Sequence, residues 1–294
     1  MGAPAVISML ALSPAVDVTY ELDALESGEI NRPTRTTRVA GGKALNAARV
    51  ARALGADVRV TVALGGANGE WIRGRLEAED VPTTTIALAA ETRTCLALVE
   101  ALGGASSTDV YEPATGFSPE EWRGFADAVR TARAERWTAV SGSIPPGVPP
   151  AELAALLAEV RARGSRIAVD TSGPALAQLA PQSDLLKVNR AEASELLGRE
   201  LPDAVSACEA LHEQFGVDAV VTDGVRGGAG LYAGELHHLA PPRAVGRFPA
   251  GSGDSFFGGL LTGLDGGAPF AAALEIARDA AERNAQGPGQ GVLA

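Results

Sequence analysis

Short apolar runs alternate with longer amphipathic stretches along nearly the whole chain, and this alternation limits the fold more than any other feature. Strands are predicted at 6–12, 58–63, 138–141, 166–169, 185–188 and 219–222. Helical patterns lie between them, at 43–54, 119–134, 150–163 and 204–215. Such an order predicts an α/β fold with a mainly parallel central sheet covered by helices on both faces. Sites in these folds form at the C-terminal ends of strands, where loops lead into helices. Two regions, 16–39 and 86–111, break the pattern with short β-prone pieces and few helix signals. Their residues alone allow either edge hairpins or a separate small sheet. No internal repeat is evident, and Gln286-Gly287-Pro288-Gly289-Gln290-Gly291 reads as a glycine-rich turn at a flexible end.

Late in the chain, Gly251-Ser252-Gly253-Asp254 runs straight into the apolar Ser255-Phe256-Phe257-Gly258-Gly259-Leu260-Leu261. Small residues opening a helix let backbone N–H groups approach a ligand, and a helix N-terminus favours anions. A carboxylate beside such an anion hole can take a proton from an attacking hydroxyl while the N–H groups stabilise a transferring phosphoryl. Alone, the motif also reads as an ordinary helix start with Asp254 as a cap. A second glycine-to-helix junction occurs at Ala40-Gly41-Gly42-Lys43-Ala44-Leu45-Asn46, where Lys43 and Asn46 share one face of the first turn.

Together, and in this order, the two segments resemble the paired signatures of the ribokinase-like (phosphofructokinase B) carbohydrate kinases. The likeness is nearest to the branch of 1-phosphofructokinases and tagatose-6-phosphate kinases. It implies a single three-layer kinase domain over 1–294, with 16–39 and 86–111 forming a small β-sheet lid. It also implies ATP and Mg²⁺ as cofactors. Asp254 is then the base, and Gly251, Ser252 and Gly253 form the anion hole.

For the sugar, Ser13-Pro14-Ala15-Val16-Asp17 resembles the family's Asn-Pro-Ala-x-Asp, whose aspartate binds hydroxyls; Gly41, Gly42 and Asn46 complete those contacts. Gly28-Glu29-Ile30-Asn31-Arg32 and Glu91-Thr92-Arg93 resemble elements of the branch. With Lys43, Arg32 and Arg93 are expected to converge on a phosphate already carried by the sugar; solvated surface arginines are the alternative reading. Ser143, in Ser141-Gly142-Ser143-Ile144-Pro145, is a further expected substrate contact.

On the nucleotide side, Lys187-Val188-Asn189-Arg190-Ala191-Glu192 resembles Lys-Pro-Asn-x-x-Glu, which assigns Lys187 and Asn189 to the nucleotide and Asn189 and Glu192 to Mg²⁺. Thr222-Asp223-Gly224-Val225-Arg226-Gly227 resembles the loop near the ATP phosphates, implicating Thr222, Gly224 and Gly227. Asn284 is expected on the adenine side. Three departures stand out: Ser13 for asparagine, Val188 for proline, and Phe248-Pro249-Ala250 before the glycine loop. They leave open a weakly catalytic relative that senses a sugar phosphate.

A net charge of −11 argues against nucleic-acid or membrane partners and requires that cations be placed locally. Only Lys43 and Lys187 are lysines among 25 basic residues, and both fall in these motifs. A Walker loop fails because Thr37 stands where glycine is needed and Ala44 follows Lys43. A dinucleotide fingerprint fails at Phe256, and His212, His237 and His238 form no zincin motif. Cys95 and Cys208 lack metal-ligand spacing, which with chain size suggests a reducing, cytoplasmic setting. The expected partner is a small sugar phosphate, with a homodimer through the lid as an open option.

Overall fold

A computed structural model describes residues 6–101 and 106–294. The chain opens with β1 (Val6–Ala11), β2 (Ala15–Leu22), β3 (Arg35–Gly41), α1 (Lys43–Ala53), β4 (Asp57–Gly65) and α2 (Gly66–Ala78). Next come β5 (Thr83–Leu88), β6 (Thr94–Glu100), β7 (Thr108–Tyr111), α3 (Pro119–Thr131), β8 (Trp137–Ser141) and α4 (Pro150–Ala162). They are followed by β9 (Arg166–Asp170), α5 (Pro174–Leu179), β10 (Leu185–Asn189), α6 (Arg190–Leu197) and α7 (Ala204–Phe215). The last elements are β11 (Asp218–Thr222), β12 (Gly228–Tyr232), β13 (Glu235–Leu239), α8 (Ser252–Asp265) and α9 (Phe270–Ala285).

Nine strands form one sheet in the order β13-β12-β11-β10-β9-β8-β1-β4-β5. Its pairs from β11 through β5 are parallel, and only β12 and β13 run antiparallel to their neighbours. Strands buried on both sides read as near-continuous apolar runs, which is why β1, β8 and β10 were visible in the sequence. Each face carries its own apolar layer. On one, Trp122, Phe125, Leu153, Leu157 and Leu211 come from α3, α4 and α7. On the other, Leu45, Ile72, Phe257, Leu260 and Leu274 come from α1, α2, α8 and α9.

The smaller sheet has the order β3-β2-β6-β7. The boundary expected at 86 needs correction. Residues 86–88 belong to β5, which pairs parallel with β4 through Ile86↔Ala63 and Leu88↔Gly65, and Leu88 is buried in the large core. Residues 102–105 of the second lid stretch lie outside the described residues.

The large sheet reverses direction of growth at β1: β4 and β5 build outward on one side, β8 onward on the other. Such a switch point leaves a crevice at the carboxyl ends of the strands. The same end receives the N-termini of α1 and α8. Among the described residues, no helix is long and apolar enough to cross a membrane.

Candidate active site

Asp17 is the third residue of β2 rather than part of a turn, and it is buried. Its Oδ2 accepts from Gly42 N–H at 3.1 Å and from Asn46 Nδ2 at 3.2 Å. A Cβ on Gly41 would sit 2.1 Å from that oxygen, so only glycine leaves room for the carboxylate. Burial pushes the Asp17 carboxyl up to about 6, opposed by the Gly42 and Asn46 bonds.

The same Asn46 Nδ2 donates to Asp254 Oδ2 at 3.0 Å. Asp254 lies in the first turn of α8, two residues past its start, and is buried; it is not the cap. Gly251 caps α8 at φ 83, and a Cβ there would meet Gln290 Cα at 2.9 Å. Burial raises the Asp254 carboxyl above the ordinary carboxylate range, while the Lys43 ammonium pulls it back. The expected anion hole needs one correction. Ser252 N–H already donates to Pro249 O at 3.1 Å, because the chain turns tightly through Pro249 and Ala250. The first-turn N–H groups of Gly253 and Asp254 have no acceptor among the described residues.

Lys43, the first residue of α1, lies 3.7 Å from Asp170 Oδ1, and Lys187 Nζ lies 3.3 Å from Asp170 Oδ2. Asp170 ends β9 and is wholly buried. Its charge is the main reason the Lys43 ammonium holds its proton more tightly than usual. Nothing in the sequence singles out Asp170.

Arg93 donates to Glu112 O at 3.2 Å and to Ser13 O at 3.4 Å, and among the described residues its buried Nε has no hydrogen-bond partner. Ser143 Oγ lies 3.3 Å from Ser13 Oγ. Arg32 does not join this group. It is exposed on the loop between β2 and β3, which Asn31 closes on itself through bonds to Glu26 N–H and O. Lys43 pairs with Asp170, and Arg93 with the Ser13 and Glu112 carbonyls, while Arg32 stays apart on its exposed loop.

A cavity of about 330 Å³ opens beside Gly253, lined by Thr222, Gly224, Gly227, Phe256 and the exposed Val225 and Val245. Its apolar walls and loop glycines suit a flat aromatic base next to an anion site. Asn284 does not face it. The side chain is fully buried, its Nδ2 donating to Phe248 O, Ala250 O and Ser252 Oγ, and its Oδ1 accepting Gly291 N–H at 2.8 Å. With its NH₂ fully used and its oxygen already accepting one bond, the buried amide serves the chain itself. Asn284 fastens the loop before α8 to the C-terminal turn. That turn is no loose end either: Gln290 and Gly291 are buried, and a Cβ on Gly291 would meet Asn46 Cα at 2.8 Å.

Asn189 and Glu192 form the capping box of α6, each side chain accepting from the other's backbone N–H, at 2.9 and 2.8 Å. Among the described residues, the capping box uses only Oε2 of Glu192, and Asp170 Oδ1 is buried without a hydrogen-bond partner. Among the described residues no group of three or more His, Cys, Asp or Glu gathers to hold a metal directly. An all-oxygen set of this kind fits a hydrated Mg²⁺ entering with phosphates.

The sequence profile of pfkB family carbohydrate kinases matches residues 11–292. The chain belongs to this family. Phosphofructokinase-2 from Escherichia coli, in its tetrameric inhibited form, is 25% identical over 96% of this chain and 94% of its own, with TM-score 0.87. The same enzyme in complex with fructose-6-phosphate is 26% identical over 95% and 93%, with TM-score 0.85. A protein described as a possible 1-phosphofructokinase from Thermotoga maritima shares the fold at 20% identity, over 95% and 91%, with TM-score 0.85.

In this pfkB-family kinase, Asp254 stands between two regions of different chemistry. On one side are the hydrogen-bonding groups of Asp17, Asn46 and Gly42; on the other are Gly253 N–H and the apolar cavity. A buried carboxylate held above its usual range, between hydrogen-bonding side chains and helix-start N–H groups without acceptors among the described residues, is suited to deprotonate a hydroxyl.

Proposed function

We propose that this carbohydrate kinase transfers the γ-phosphoryl of MgATP to a phosphorylated ketohexose, with fructose 1-phosphate, phosphorylated at O6 to fructose 1,6-bisphosphate, as first choice. The observation that carries the reading is the shared Asn46 amide. It ties the carboxylate suited to sugar hydroxyls, Asp17, to the carboxylate suited to act as base, Asp254.

In the reaction, Asp17, Gly41, Gly42 and Asn46 hold the sugar hydroxyls. Asp254 takes the proton of the attacking hydroxyl as its oxygen bonds the γ-phosphorus. The bond from that phosphorus to the bridging oxygen breaks, and ADP leaves with the electron pair. N–H groups of Gly253 and Asp254, with Lys43, stabilise the charge spread over the transferring oxygens. Lys187 faces the nucleotide phosphates, and Thr222, Gly224 and Gly227 line the nucleotide's pocket. Glu192 and Asn189 would hold a hydrated Mg²⁺, which when bound would supply charge neutralisation. Arg93, whose buried Nε has no hydrogen-bond partner among the described residues, supports a sugar that already carries a phosphate.

One observation favours a second acceptor: the likeness to a phosphofructokinase-2 described in complex with fructose-6-phosphate. In that case O1 is the attacking hydroxyl, as it would be for tagatose 6-phosphate, and the base is the same.

The test is ADP release from MgATP with fructose 1-phosphate, fructose 6-phosphate, tagatose 6-phosphate and free fructose in parallel, with Asp254→Asn as control. Turnover on one sugar phosphate, lost in the variant, supports the reading and names the substrate. Turnover on free fructose alone removes the phosphate role of Arg93. Sugar-phosphate binding without turnover means a sensor.

A further inference from the structure

Asn46 donates one NH₂ group to two carboxylates, so its amide works only in one of two nearly isosteric orientations. Flipped, its oxygen would face Asp17 and Asp254, and both bonds would be lost. The carboxylates select the NH₂ on one side. On the other side the selecting group is Arg49, one turn along α1, whose Nη1 lies 3.4 Å from Asn46 Oδ1. A guanidinium is donor-only and cannot accept from an amide NH₂, so it enforces the same orientation from behind.

Arg49 is itself held from three other segments. It donates to Ala40 O in β3, to Gln290 O in the C-terminal turn at 3.2 Å, and through Nε to Glu79, just past α2, at 3.2 Å. Its side chain is only 14% exposed. Ala40 precedes Gly41, which must be glycine for Asp17 to fit, and Gln290 precedes Gly291, which touches the Asn46 backbone. The guanidinium thus lies where the smaller sheet, α1 and the C-terminal turn meet, directly behind the amide. Its positive charge also lowers the Asp17 carboxyl against the larger effect of burial.

We propose that Arg49 is a positioning residue of the phosphoryl-transfer site, holding the Asn46 amide so that its NH₂ serves both Asp17 and Asp254, with Glu79 holding Arg49 in turn. The proposal rests on the kinase reading for its catalytic consequence, but the amide geometry stands without it. A lysine at this position keeps the charge but cannot serve four acceptors from one planar fork.

The experiment compares wild type, Arg49→Ala, Arg49→Lys and Glu79→Gln in steady-state kinetics and in spectra of protein labelled with ¹⁵N-asparagine. Five asparagines give five side-chain NH₂ pairs, and Asn46→Ser identifies the one of interest. In Arg49→Ala, kcat is expected to fall about 100-fold. The sugar-phosphate KM rises, the MgATP KM stays unchanged, and millimolar guanidinium restores part of kcat. The Asn46 NH₂ pair shifts and exchanges faster with solvent. Arg49→Lys recovers little, and Glu79→Gln shows the same changes in smaller measure. A folded Arg49→Ala protein with an unmoved Asn46 pair and kcat within about twofold of wild type overturns the proposal, as does a kcat loss that guanidinium does not relieve. Should Arg49→Ala not fold, Arg49→Lys and Glu79→Gln decide by the same readouts. Should wild type turn over none of the sugars, phosphorylated or free, the kinase reading fails, and the Asn46 pair alone decides the role of Arg49.

Discussion

Asn46 Nδ2 lies 3.0 Å from Asp254 Oδ2, although 208 residues separate them along the chain. One bond therefore joins the first turns of α1 and α8. It fixes the carboxylate's direction without taking both of its oxygens. For Asp254→Asn we expect kcat to fall about a thousandfold, since an amide cannot accept the hydroxyl's proton. The fold should survive, because removing a buried charge relieves a desolvation penalty. ADP release and a thermal melt measure the two effects. A variant that keeps most of its turnover removes Asp254 as base.

Asp17 gives a pH dependence with a definite sign. Its carboxyl is raised from 3.8 to about 6 in the folded state, chiefly by burial. A raised carboxyl contributes stability below the unfolded value and loses it as pH rises through the folded value. Asp17→Asn should therefore be more stable than wild type by about 3 kcal/mol near pH 8 and equal to it below about pH 4. Urea unfolding at the two pH values checks this. In activity the sign reverses: kcat/KM for the sugar should fall as pH drops through about 6, because a protonated Asp17 loses acceptor capacity.

Much of the fold was legible because β1, β4, β8, β9, β10 and β11 are short apolar runs between amphipathic helices. Residues 86–88 were misassigned because local β-propensity does not say which sheet a strand joins. Asn46 and Asp254 were legible because each sits within a few residues of a glycine that must be glycine, and Asp17 because Ser13-Pro14-Ala15-Val16-Asp17 follows the first strand in a pattern resembling the family's. Asp170 was not, since a single carboxylate at a strand end carries no pattern of its own. Asn284 and the turn at 286–291 were misread for a common reason. Helical position and glycine content are local, whereas both segments are defined by what folds back onto them: Asn284 binds the loop at 248–252, and Gly291 packs on Asn46.

Asn284→Ala separates a structural clamp from a nucleotide ligand. The amide binds Phe248 O, Ala250 O, Ser252 Oγ and Gly291 N–H and is fully buried. Its removal strands several of these groups, and we expect a loss of about 2–3 kcal/mol. The MgATP KM should change far less than kcat, because what is loosened is the loop that aims Gly253 and Asp254. A large rise in MgATP KM with unchanged stability would return Asn284 to the nucleotide.

Gly41→Ala tests the fit of β3 against Asp17. The added Cβ would stand 2.1 Å from Asp17 Oδ2, a distance that forces the carboxylate aside. The sugar KM is expected to rise at least tenfold, about 1.4 kcal/mol of lost binding, with the MgATP KM nearly constant. Isothermal titration with the sugar phosphate checks it.

Asp170 holds two cations at once, Lys187 at 3.3 Å and Lys43 at 3.7 Å. Lys187 is nearly as buried as Asp170, whereas Lys43 is partly open to solvent, so the penalty for losing the counter-charge falls mainly on Lys187. Asp170→Asn should destabilise the free protein by about 3 kcal/mol, the cost of stranding a buried charge. Nucleotide phosphates beside Lys187 would replace the missing negative charge. Saturating MgATP should then stabilise the variant more than it stabilises wild type. Urea unfolding with and without nucleotide reads both numbers. A variant as stable as wild type would mean that Lys187 is compensated without the Asp170 charge. Equal nucleotide stabilisation of the two proteins would mean that the phosphates do not reach the lysine pair.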